Sequence, residues 1–491
     1  MVEPLIELNT HLWKSRPYKH QVQDVASLLE HDYFGLFNEM GTGKSKTVID
    51  AACELYRTQL IDTVLVVSPA AVRSVWIDAD FGEVKKHAWV PSCVLEFHNP
   101  VKLVWQDDEP KLYWVVTNYE YIRGAEHREE LKRLLHGHRF LMVADESSFI
   151  KNRQAAQTKA CIEMGQLATR KVILNGTPIG NNPLDLWSQS NFLSPRILPY
   201  KNFFHFRGMF CLMGGWHQKQ VIAWQNLDRL QQHLAPYVIR REKKDCLDLP
   251  DKIYTQLEVP LSEATWKTYK QMRDEAVVWL NENPTMAAQA GVRVMRLSQI
   301  TSGFLGGFRP AEDEVVEEPK VVEVGREKLD LLREWVAARL EERSDVKIIC
   351  WCRFRPELER VAEDLKDLLP TYRLYGQGRK ERTEAIARFS DVTNPKPALL
   401  AGQVQAGGFG LNLVAADHVV YLSNDFSLLS RLQSEDRVHR PGQTHHVLYL
   451  DVLATGPKGQ KTIDHHVVKA LRAKNDIATW TVAAWKQALE E

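Results

Sequence analysis

A glycine-rich stretch at Phe34–Thr47 combines a short apolar run, a loop and the start of an apolar-periodic helix. Within it, Gly41 and Gly43 can bring bare backbone N–H groups close to phosphate oxygens, and the helix N-terminus adds a partial positive charge. We expect Lys44 to reach the β- and γ-phosphates of a nucleotide and the Ser45 hydroxyl to bind Mg²⁺. The pattern therefore predicts a phosphate site.

Asn38 occupies the position where the pattern G-x-x-x-x-G-K-[ST] has its first glycine. Asparagine is one of the few other residues that tolerates a left-handed backbone, so this departure is compatible with the loop. Taken alone, the stretch also fits a glycine-rich turn before an ordinary helix. The rest of the chain favours the phosphate site.

Two acidic residues follow another apolar run. Phe140–Ala144 predicts a buried strand, which places Asp145 and Glu146 at its carboxyl end, where ligands bind in an open α/β sheet. Asp145 could hold Mg²⁺ through its water shell, and Glu146 could orient or deprotonate an attacking water. The alternative is a pair of acids that cap a following helix. A glycine-rich loop upstream in the same pattern of strands favours the catalytic interpretation.

Two arginines near the end of the chain have a spacing typical of an anion site. Arg437 and Arg440 lie three residues apart, which predicts one face of a helix that Pro441 and Gly442 terminate. Two guanidinium groups there would repel each other unless they shared an anion such as a phosphate chain, and arginines in such positions stabilise transition-state charge. A pair of surface salt bridges is the alternative.

The spacing of the apolar runs predicts an α/β fold with two doubly wound parallel-sheet lobes, because the runs alternate with helical patterns. We expect a first lobe at 1–195, a helical and aromatic insertion with a linker at 196–325, and a second lobe at 326–491. The expected strands are Phe34–Phe37, Thr63–Pro69, Leu112–Asn118, Phe140–Ala144 and Lys171–Ile179 in the first lobe, and Val346–Trp351, Arg373–Tyr375, Ala398–Ala401 and Val419–Leu422 in the second.

The middle of the chain is less regular. Residues 196–224 are rich in aromatic side chains and glycine, and a basic stretch follows at 239–244. The aromatic side chains could stack on bases, although closure of a small helical subdomain is the favoured interpretation. Helices are expected at 261–280 and 286–300. Residues 309–325, which are acidic and contain a proline, predict a linker or an exposed hairpin.

Composition limits the function classes. The 491 residues are 44% hydrophobic and 26% charged, as in ordinary soluble globular proteins, and the formal net charge is zero. Binding to nucleic acid would therefore need a local basic patch and would be salt-sensitive. The seven cysteines are scattered and never spaced C-x-x-C, which argues against a disulfide framework or a zinc ribbon. Neither a long apolar run nor a signal-peptide pattern is present in the sequence, so we expect a cytoplasmic location.

Taken in order, these motifs resemble those of superfamily two helicases, and specifically the SWI/SNF-like group of DNA translocases. The resemblance extends from about Arg16 to Gln443, and the remaining length points to a compact bacterial or phage type. It rests on six segments, which are Asn38–Ser45, Asp145–Ser148, Asn175–Ile179, Arg240–Pro250, Ala406–Leu413 and Asp436–Gln443.

The resemblance implies two RecA-like lobes that clamp ATP and Mg²⁺ and track along nucleic acid. It implies nucleotide contacts at Gln21 (to adenine), Gly41, Thr42, Gly43, Lys44, Ser45 and Gly410, with the metal at Ser45 and Asp145. It implies catalytic roles for Lys44, Asp145, Glu146, Gln433, Arg437 and Arg440, of which the last two would be arginine fingers. It implies contacts to the nucleic-acid backbone at Ser68, Pro69, Asn118, Thr177, Arg353, Gly407 and Asn412.

The implied function is an ATPase that is stimulated by double-stranded DNA and translocates on it without sequence specificity. We expect a monomer in the cytoplasm of a bacterial or phage-infected cell, associated with the nucleoid. Two alternatives remain open. One is a helicase that separates or anneals strands of single-stranded or branched nucleic acid, and the other is a nucleotide-gated DNA-binding protein with little turnover.

Overall fold

The computed structural model describes residues 8–70, 72–78, 82–98, 109–176, 183–214, 220–282, 287–306, 321–376, 379–391, 396–404 and 411–473. The described chain divides into two compact units, one that ends at Asp248 and one that runs Leu249–Ala473. Each unit is built on its own parallel sheet.

The first unit has a seven-stranded parallel sheet and a separate hairpin. Its strands are β1 (Tyr33–Leu36), β2 (Thr63–Ser68), β3 (Ser92–Glu96), β4 (Leu112–Asn118), β5 (Phe140–Asp145), β6 (Arg170–Leu174), β7 (Cys211–Gly214), β8 (Gln220–Trp224) and β9 (Val238–Ile239). The sheet order is β3-β4-β2-β5-β6-β1-β9, and β7 pairs with β8 antiparallel.

Helices of the first unit follow most of these strands. They are α1 (Lys19–Glu30), α2 (Lys44–Arg57), α3 (Arg73–Ile77), α4 (Glu83–His87), α5 (Tyr119–Ile122), α6 (Ala125–Leu135), α7 (Ala156–Gly165), α8 (Leu186–Leu193), α9 (Phe203–Phe210), α10 (Leu227–Leu234) and α11 (Lys243–Cys246). Every residue of β2 and β5 is buried, which explains why both strands read as continuous apolar runs in the sequence.

The second unit has a six-stranded parallel sheet and a separate antiparallel pair of strands. Its strands are β10 (Lys252–Pro260), β11 (Phe304–Gly306), β12 (Val321–Glu323), β13 (Lys347–Cys352), β14 (Thr371–Leu374), β15 (Ala398–Gln403), β16 (His418–Tyr421) and β17 (Val447–Thr455), and its helices are α12 (Glu263–Glu282), α13 (Ala287–Thr301), α14 (Glu327–Glu342), α15 (Arg355–Leu365), α16 (Arg379–Phe389) and α17 (Leu428–Glu435). The sheet order is β10-β17-β16-β13-β15-β14, and β11 pairs with β12 antiparallel.

The predicted α/β fold with two parallel-sheet lobes is confirmed. The order of both sheets reverses direction along the chain, as in doubly wound folds, and helices separate most of the consecutive parallel strands. Within the described residues, no helix is long and apolar enough to cross a membrane.

The segment expected as an insertion is divided between the two units. Its first part stays with the first unit, because β9 pairs with β1 at the edge of the seven-stranded sheet. Its second part belongs to the second unit, because β10 pairs with β17 over nine residues. Of the expected linker or hairpin, Val321–Glu323 pairs antiparallel with Phe304–Gly306 and is exposed, and residues 307–320 lie outside the described ranges.

A glycine in the second sheet allows a tryptophan to pack across two strands. Gly402 in β15 lies opposite Trp351 in β13, and a Cβ atom at Gly402 would lie 2.8 Å from the Trp351 ring. The Trp351 side chain is fully buried, so it has no free space into which it could move.

We therefore expect Gly402→Ala to lower the free energy of unfolding by about 1–3 kcal/mol through overpacking. Urea unfolding of the whole chain measures the change. Gly376→Ala is the matched control, because a Cβ atom there would meet no atom within 4 Å. Equal stability of the two variants would show that the Trp351 contact does not limit packing.

Candidate nucleotide and nucleic-acid sites

The glycine loop between β1 and α2 depends on left-handed backbone at two positions. Gly41 has a φ of 83° and Gly43, which precedes the first residue of α2, has a φ of 84°. A Cβ atom at Gly43 would also lie 2.1 Å from the side-chain nitrogen of Gln21. Only glycine combines this backbone with this contact, so the sequence pattern has a steric cause.

The Lys44 ammonium is held by the loop itself. Its Nζ donates to the carbonyl oxygens of Asn38 at 2.7 Å and Glu39 at 3.1 Å. The Thr42 hydroxyl donates to the same Glu39 carbonyl at 2.8 Å. The loop thus curls around a positive charge at the N-terminus of α2, where the helix dipole also favours an anion. Ser45 is the second residue of that helix.

The structure gives Asn38 a specific role. Its side-chain nitrogen donates to the buried carboxylate of Asp24 in α1 at 2.6 Å, and that carboxylate accepts two hydrogen bonds from Arg241 at 3.1 and 3.0 Å. Burial raises the pKa of Asp24, while Arg241 and Asn38 act in the opposite direction. Asparagine therefore anchors the first position of the loop to α1, which a glycine could not do.

Gln21 is buried rather than a surface residue. Its side-chain oxygen accepts the Tyr18 backbone N–H at 2.9 Å, and its nitrogen lies 3.4 Å from the carbonyl oxygens of both Thr42 and Gly43. The residue thus lies directly against the phosphate loop.

The acidic pair lies at the carboxyl end of β5, as predicted. The Asp145 carboxylate accepts the Trp76 ring N–H at 2.9 Å and the Glu146 backbone N–H at 3.0 Å. Burial raises the pKa of Asp145, and the nearby Lys44 ammonium acts to lower it. Phosphate loop and acidic pair are therefore brought together within one unit. Glu146 has a left-handed backbone, with φ 51° and ψ 57°, which costs of order 1–3 kcal/mol for a residue other than glycine.

A polar contact joins the acidic pair to the end of the neighbouring strand. The Ser147 hydroxyl donates to the Gln189 side-chain oxygen at 2.6 Å, and the Asn175 amide donates to both of these groups at 3.2 Å. All three side chains are buried. Neither Asn175 nor Gln189 was predicted to lie at this site, although the position of Asn175 directly after an apolar strand was a usable signal in the sequence.

A second missed contact lies in the basic stretch after β9. Arg240 donates to the carbonyl oxygens of Phe37 at 2.6 Å and Gly176 at 2.7 Å. It thereby ties the end of β1 to the turn after β6. The sequence gave no indication that Arg240 would hydrogen-bond to the loops at the sheet edge.

Three of the predicted nucleic-acid contacts lie at the carboxyl edge of the first sheet. Ser68 and Asn118 are paired in register at the ends of β2 and β4, and Pro69 follows Ser68. The Asn118 side-chain oxygen caps α5 by accepting the Tyr121 N–H at 2.7 Å. Thr177 lies outside the described residues.

In the second unit, Arg353 follows β13 and borders a small cleft at the carboxyl edge of the sheet. Its guanidinium lies 5.2 Å from the centre of the Phe354 ring, and burial lowers its pKa. Asn412 is exposed. Gly407 and Gly410 lie outside the described residues. The other residues that line the cleft are Cys352, Gln403, Val404, Ser423, Asn424, Asp425, Ser430 and Arg431.

Helix α17, which carries Gln433, is fixed by a buried arginine. Arg431 makes ion pairs with Asp451 at 2.6 Å and with Glu435 at 2.8 Å, and its guanidinium lies 3.5 Å from the centre of the Tyr421 ring. The Gln433 side-chain nitrogen is itself buried, and it has no hydrogen-bond partner among the described residues. The position of Gln433 is thus set by the contacts of its neighbour.

The predicted helix through Arg437 and Arg440 is wrong, because α17 ends at Glu435. The chain leaves the helix where Val438 is fully buried in the core beside the sheet. The Arg437 carbonyl accepts the N–H of Leu413, and Arg440 donates to the Leu411 carbonyl at 3.1 Å. The two arginines therefore lie on a turn that packs against residues 411–413.

Comparison with known proteins bears on both units. The model of the SNF2-related domain matches residues 20–302, and the model of the helicase conserved C-terminal domain matches residues 327–442. The chain belongs to the SNF2-related family. The SNF2-related match includes the phosphate loop and the acidic pair, and the C-terminal match includes α17 and the two arginines.

Relatives of this SNF2-related chain occur in fungi and bacteria. It is 27% identical over 484 residues to the SWI/SNF chromatin-remodeling complex subunit snf22 of Schizosaccharomyces pombe, which covers 92% of this chain and 27% of that protein. It is 27% identical over 463 residues to an uncharacterized ATP-dependent helicase of Mycoplasma pneumoniae, and the match covers 92% of this chain and 41% of that protein. The chain thus spans less than half the length of these curated relatives.

Among solved structures, the Sulfolobus solfataricus SWI2/SNF2 ATPase core in complex with dsDNA is similar to this SNF2-related chain. The TM-score is 0.43 and the sequence identity is 23%, with 98% of this chain and 96% of that chain covered.

Asp50 gives the helix after the phosphate loop a pH-dependent stability. It is buried in α2 beside Lys46, and burial raises its pKa from 3.8 to about 6, although Lys46 acts to lower it. A carboxyl group with a raised pKa stabilises the folded state below its unfolded pKa, here 3.8, and this stabilisation is lost as the pH rises through about 6.

We expect the wild type to lose about 2–3 kcal/mol more unfolding free energy than Asp50→Asn between pH 4 and pH 7.5. Urea unfolding across this pH range measures the difference. Asp274→Asn is the control, because that side chain is 65% exposed. Parallel pH profiles for the wild type and Asp50→Asn would contradict the expectation.

Proposed function

We propose that this chain is a DNA-stimulated ATPase that moves along or remodels double-stranded DNA without reading its sequence. The observation that carries the proposal is the sheet order. Strand β1, which leads into the phosphate loop, and β5, which ends at Asp145, both pair in parallel with β6, so the loop and the acidic pair lie at the same edge of the sheet. Phosphoryl transfer to water requires a cation at the phosphates and carboxylates at the metal and the water, and this arrangement supplies both.

The loop fits the phosphates of ATP. Lys44 donates to two neutral carbonyl oxygens of the loop, and a phosphate is a stronger acceptor for an ammonium group than a carbonyl oxygen. The absence of a side chain at Gly43 leaves backbone N–H groups open to an anion. The residues that would hold the triphosphate are Gly41, Thr42, Gly43, Lys44 and Ser45, with Gln21 and Gly410 as further nucleotide contacts.

The same residues fit Mg²⁺, because a hydroxyl at Ser45 and a carboxylate at Asp145 are the oxygen donors that this ion prefers. Bound Mg²⁺ would neutralise charge on the phosphates. Glu146 would orient or deprotonate the attacking water. Its left-handed backbone is of the strained kind that clusters at functional sites.

DNA contacts are proposed at the carboxyl edges of the two sheets. Ser68 and Asn118 end adjacent strands in register, and Arg353 borders a cleft at the corresponding edge of the second sheet. Contacts of this type to the sugar–phosphate backbone position a protein without reading bases. The remaining proposed DNA contacts are Pro69, Thr177, Gly407 and Asn412.

Double-stranded DNA is the favoured substrate because the family includes chromatin-remodeling subunits such as snf22. The name of the Mycoplasma relative, an ATP-dependent helicase, keeps strand separation as the second candidate. We assign catalytic roles to Gln433, Arg437 and Arg440 on the family resemblance. A monomer in the cytoplasm, associated with the nucleoid, stays a prediction.

Displacement of a third strand from duplex DNA tests movement along the duplex. We expect the wild type with ATP to release the third strand. We expect Glu146→Gln to release it at a rate at least about a hundredfold lower, because glutamine cannot accept a proton from the attacking water. Glu146→Gln should still bind ATP, whereas Lys44→Ala should lose ATP binding as well.

Glu120→Gln, an exposed glutamate on α5, is the matched control and should retain full activity. Unwinding of a forked duplex without third-strand displacement would favour the strand-separating helicase. Unchanged activity of Glu146→Gln would contradict its assigned role, and a wild type that binds DNA in an ATP-dependent way without displacement would be a nucleotide-gated binder.

A further inference from the structure

The aromatic segment around α9 has a buried side and an exposed side. Phe206 and Phe210 are fully buried and pack against the core of the first unit. Phe204, by contrast, is 58% exposed, and a Cβ atom at Gly208, one turn further on, would meet no atom within 4 Å. Helix α9 thus exposes the Phe204 ring, and the proposed ATPase function assigns no role to that ring.

Two arginines stack on the exposed ring. The Arg153 guanidinium carbon lies 4.7 Å from the centre of the Phe203 ring and 5.2 Å from that of Phe204, and the Arg207 guanidinium carbon lies 5.3 Å from the centre of Phe204. Among the described residues, neither Arg153 nor Arg207 makes an ion pair with a carboxylate. A guanidinium group stacked on a ring still has its N–H groups in the plane of the group, where they can bind a phosphate with two hydrogen bonds.

The sequence around these arginines lacks acidic residues. The chain has 63 Asp and Glu among 491 residues, yet none lies between Asp185 and Asp228. The segment that carries Arg153 is equally free of them from Ser147 to Ile162. In a protein with zero net charge, this segregation creates a local basic field of the kind that attracts a polyanion.

We propose that Arg153, Phe204 and Arg207, here called the Phe204 surface, bind the sugar–phosphate backbone of duplex DNA. The proposal rests on the proposed function, in which the chain acts on DNA, and it adds a contact outside the residues assigned to the motor. The two guanidinium groups would each bind a phosphate, and the Phe204 ring would pack against a deoxyribose between them. The open space at Gly208 leaves room for the backbone to approach α9.

Phosphate fits this surface better than the carboxylates of an acidic protein. The Arg153 and Arg207 guanidinium carbons both lie within 5.3 Å of the centre of the Phe204 ring, so they are close enough together to bind neighbouring phosphates of one strand. Carboxylates on a peptide have no such regular spacing. The contact reads no base, so it would strengthen binding equally for all sequences.

Duplex affinity as a function of salt tests the proposal. Fluorescence anisotropy with a labelled 30-base-pair duplex compares the wild type with the double variant Arg153→Gln/Arg207→Gln. Loss of two phosphate contacts should reduce the slope of log K against log salt concentration by about two and weaken binding roughly tenfold at moderate salt. ATP hydrolysis without DNA should not change.

Arg128→Gln/Arg133→Gln on α6 of the same unit is the charge-matched control, since Arg128 is paired with Glu163 at 3.1 Å. It removes the same net charge and should leave the slope at its wild-type value. Phe204→Ala should weaken binding severalfold without a change of slope, and Phe204→Trp should restore it.

An unchanged slope and affinity in the Arg153→Gln/Arg207→Gln variant, with DNA binding by the wild type intact, would overturn this inference and leave the proposed function standing. Failure of the wild type to bind DNA would overturn both. Loss of binding to polyglutamate in the variant, with duplex binding unchanged, would assign the Phe204 surface to an acidic protein partner and would also overturn the inference.

Discussion

Parallel pairing of the strands is the constraint on which both units depend. Strands that run in one direction end at one edge, so the loops after β1, β2, β4, β5 and β6 all emerge at the same side of the first sheet. The phosphate loop, the acidic pair and the Asn175 contact lie on these loops. In the second sheet, the ends of β13, β15 and β16 meet in the same way around Arg353. The order of the strands thus brings together side chains that are far apart in the sequence.

The formal net charge of the chain is zero, but its charged residues are distributed unevenly. The buried carboxylates of Asp451 and Asp24 are paired with Arg431 and Arg241, because an isolated charge inside the protein would cost several kcal/mol. These pairs fix α17 and the first position of the phosphate loop. On the surface, acidic residues are missing from the segments around Arg153 and Arg207. Paired charges therefore hold α17 and the phosphate loop in place, whereas the arginines of the Phe204 surface face solvent.

Sequence patterns predicted most strands of both sheets, since buried parallel strands read as apolar runs, and they placed Asp145 and Glu146 at a strand end. They missed β17, although it is an apolar run interrupted only by Asp451, and they missed its partner β10, most of whose residues are exposed. They predicted that Arg437 lies in a helix. The helix ends at Glu435 instead, because the chain turns to bury Val438, and residue spacing does not reveal this. Burial of Gln21 and the tie from Asn38 to Asp24 arise from contacts between distant segments, and local patterns do not carry that information.

The central claim, that a phosphate loop and an acidic pair hydrolyse ATP in response to duplex DNA, is tested most directly by steady-state ATPase rates. The pure protein would be assayed without nucleic acid and with duplex DNA, single-stranded DNA or RNA, at low and moderate salt. The account predicts strong stimulation by duplex DNA that weakens as salt rises. Stimulation mainly by single strands or RNA, or no turnover under any of these conditions, would contradict it.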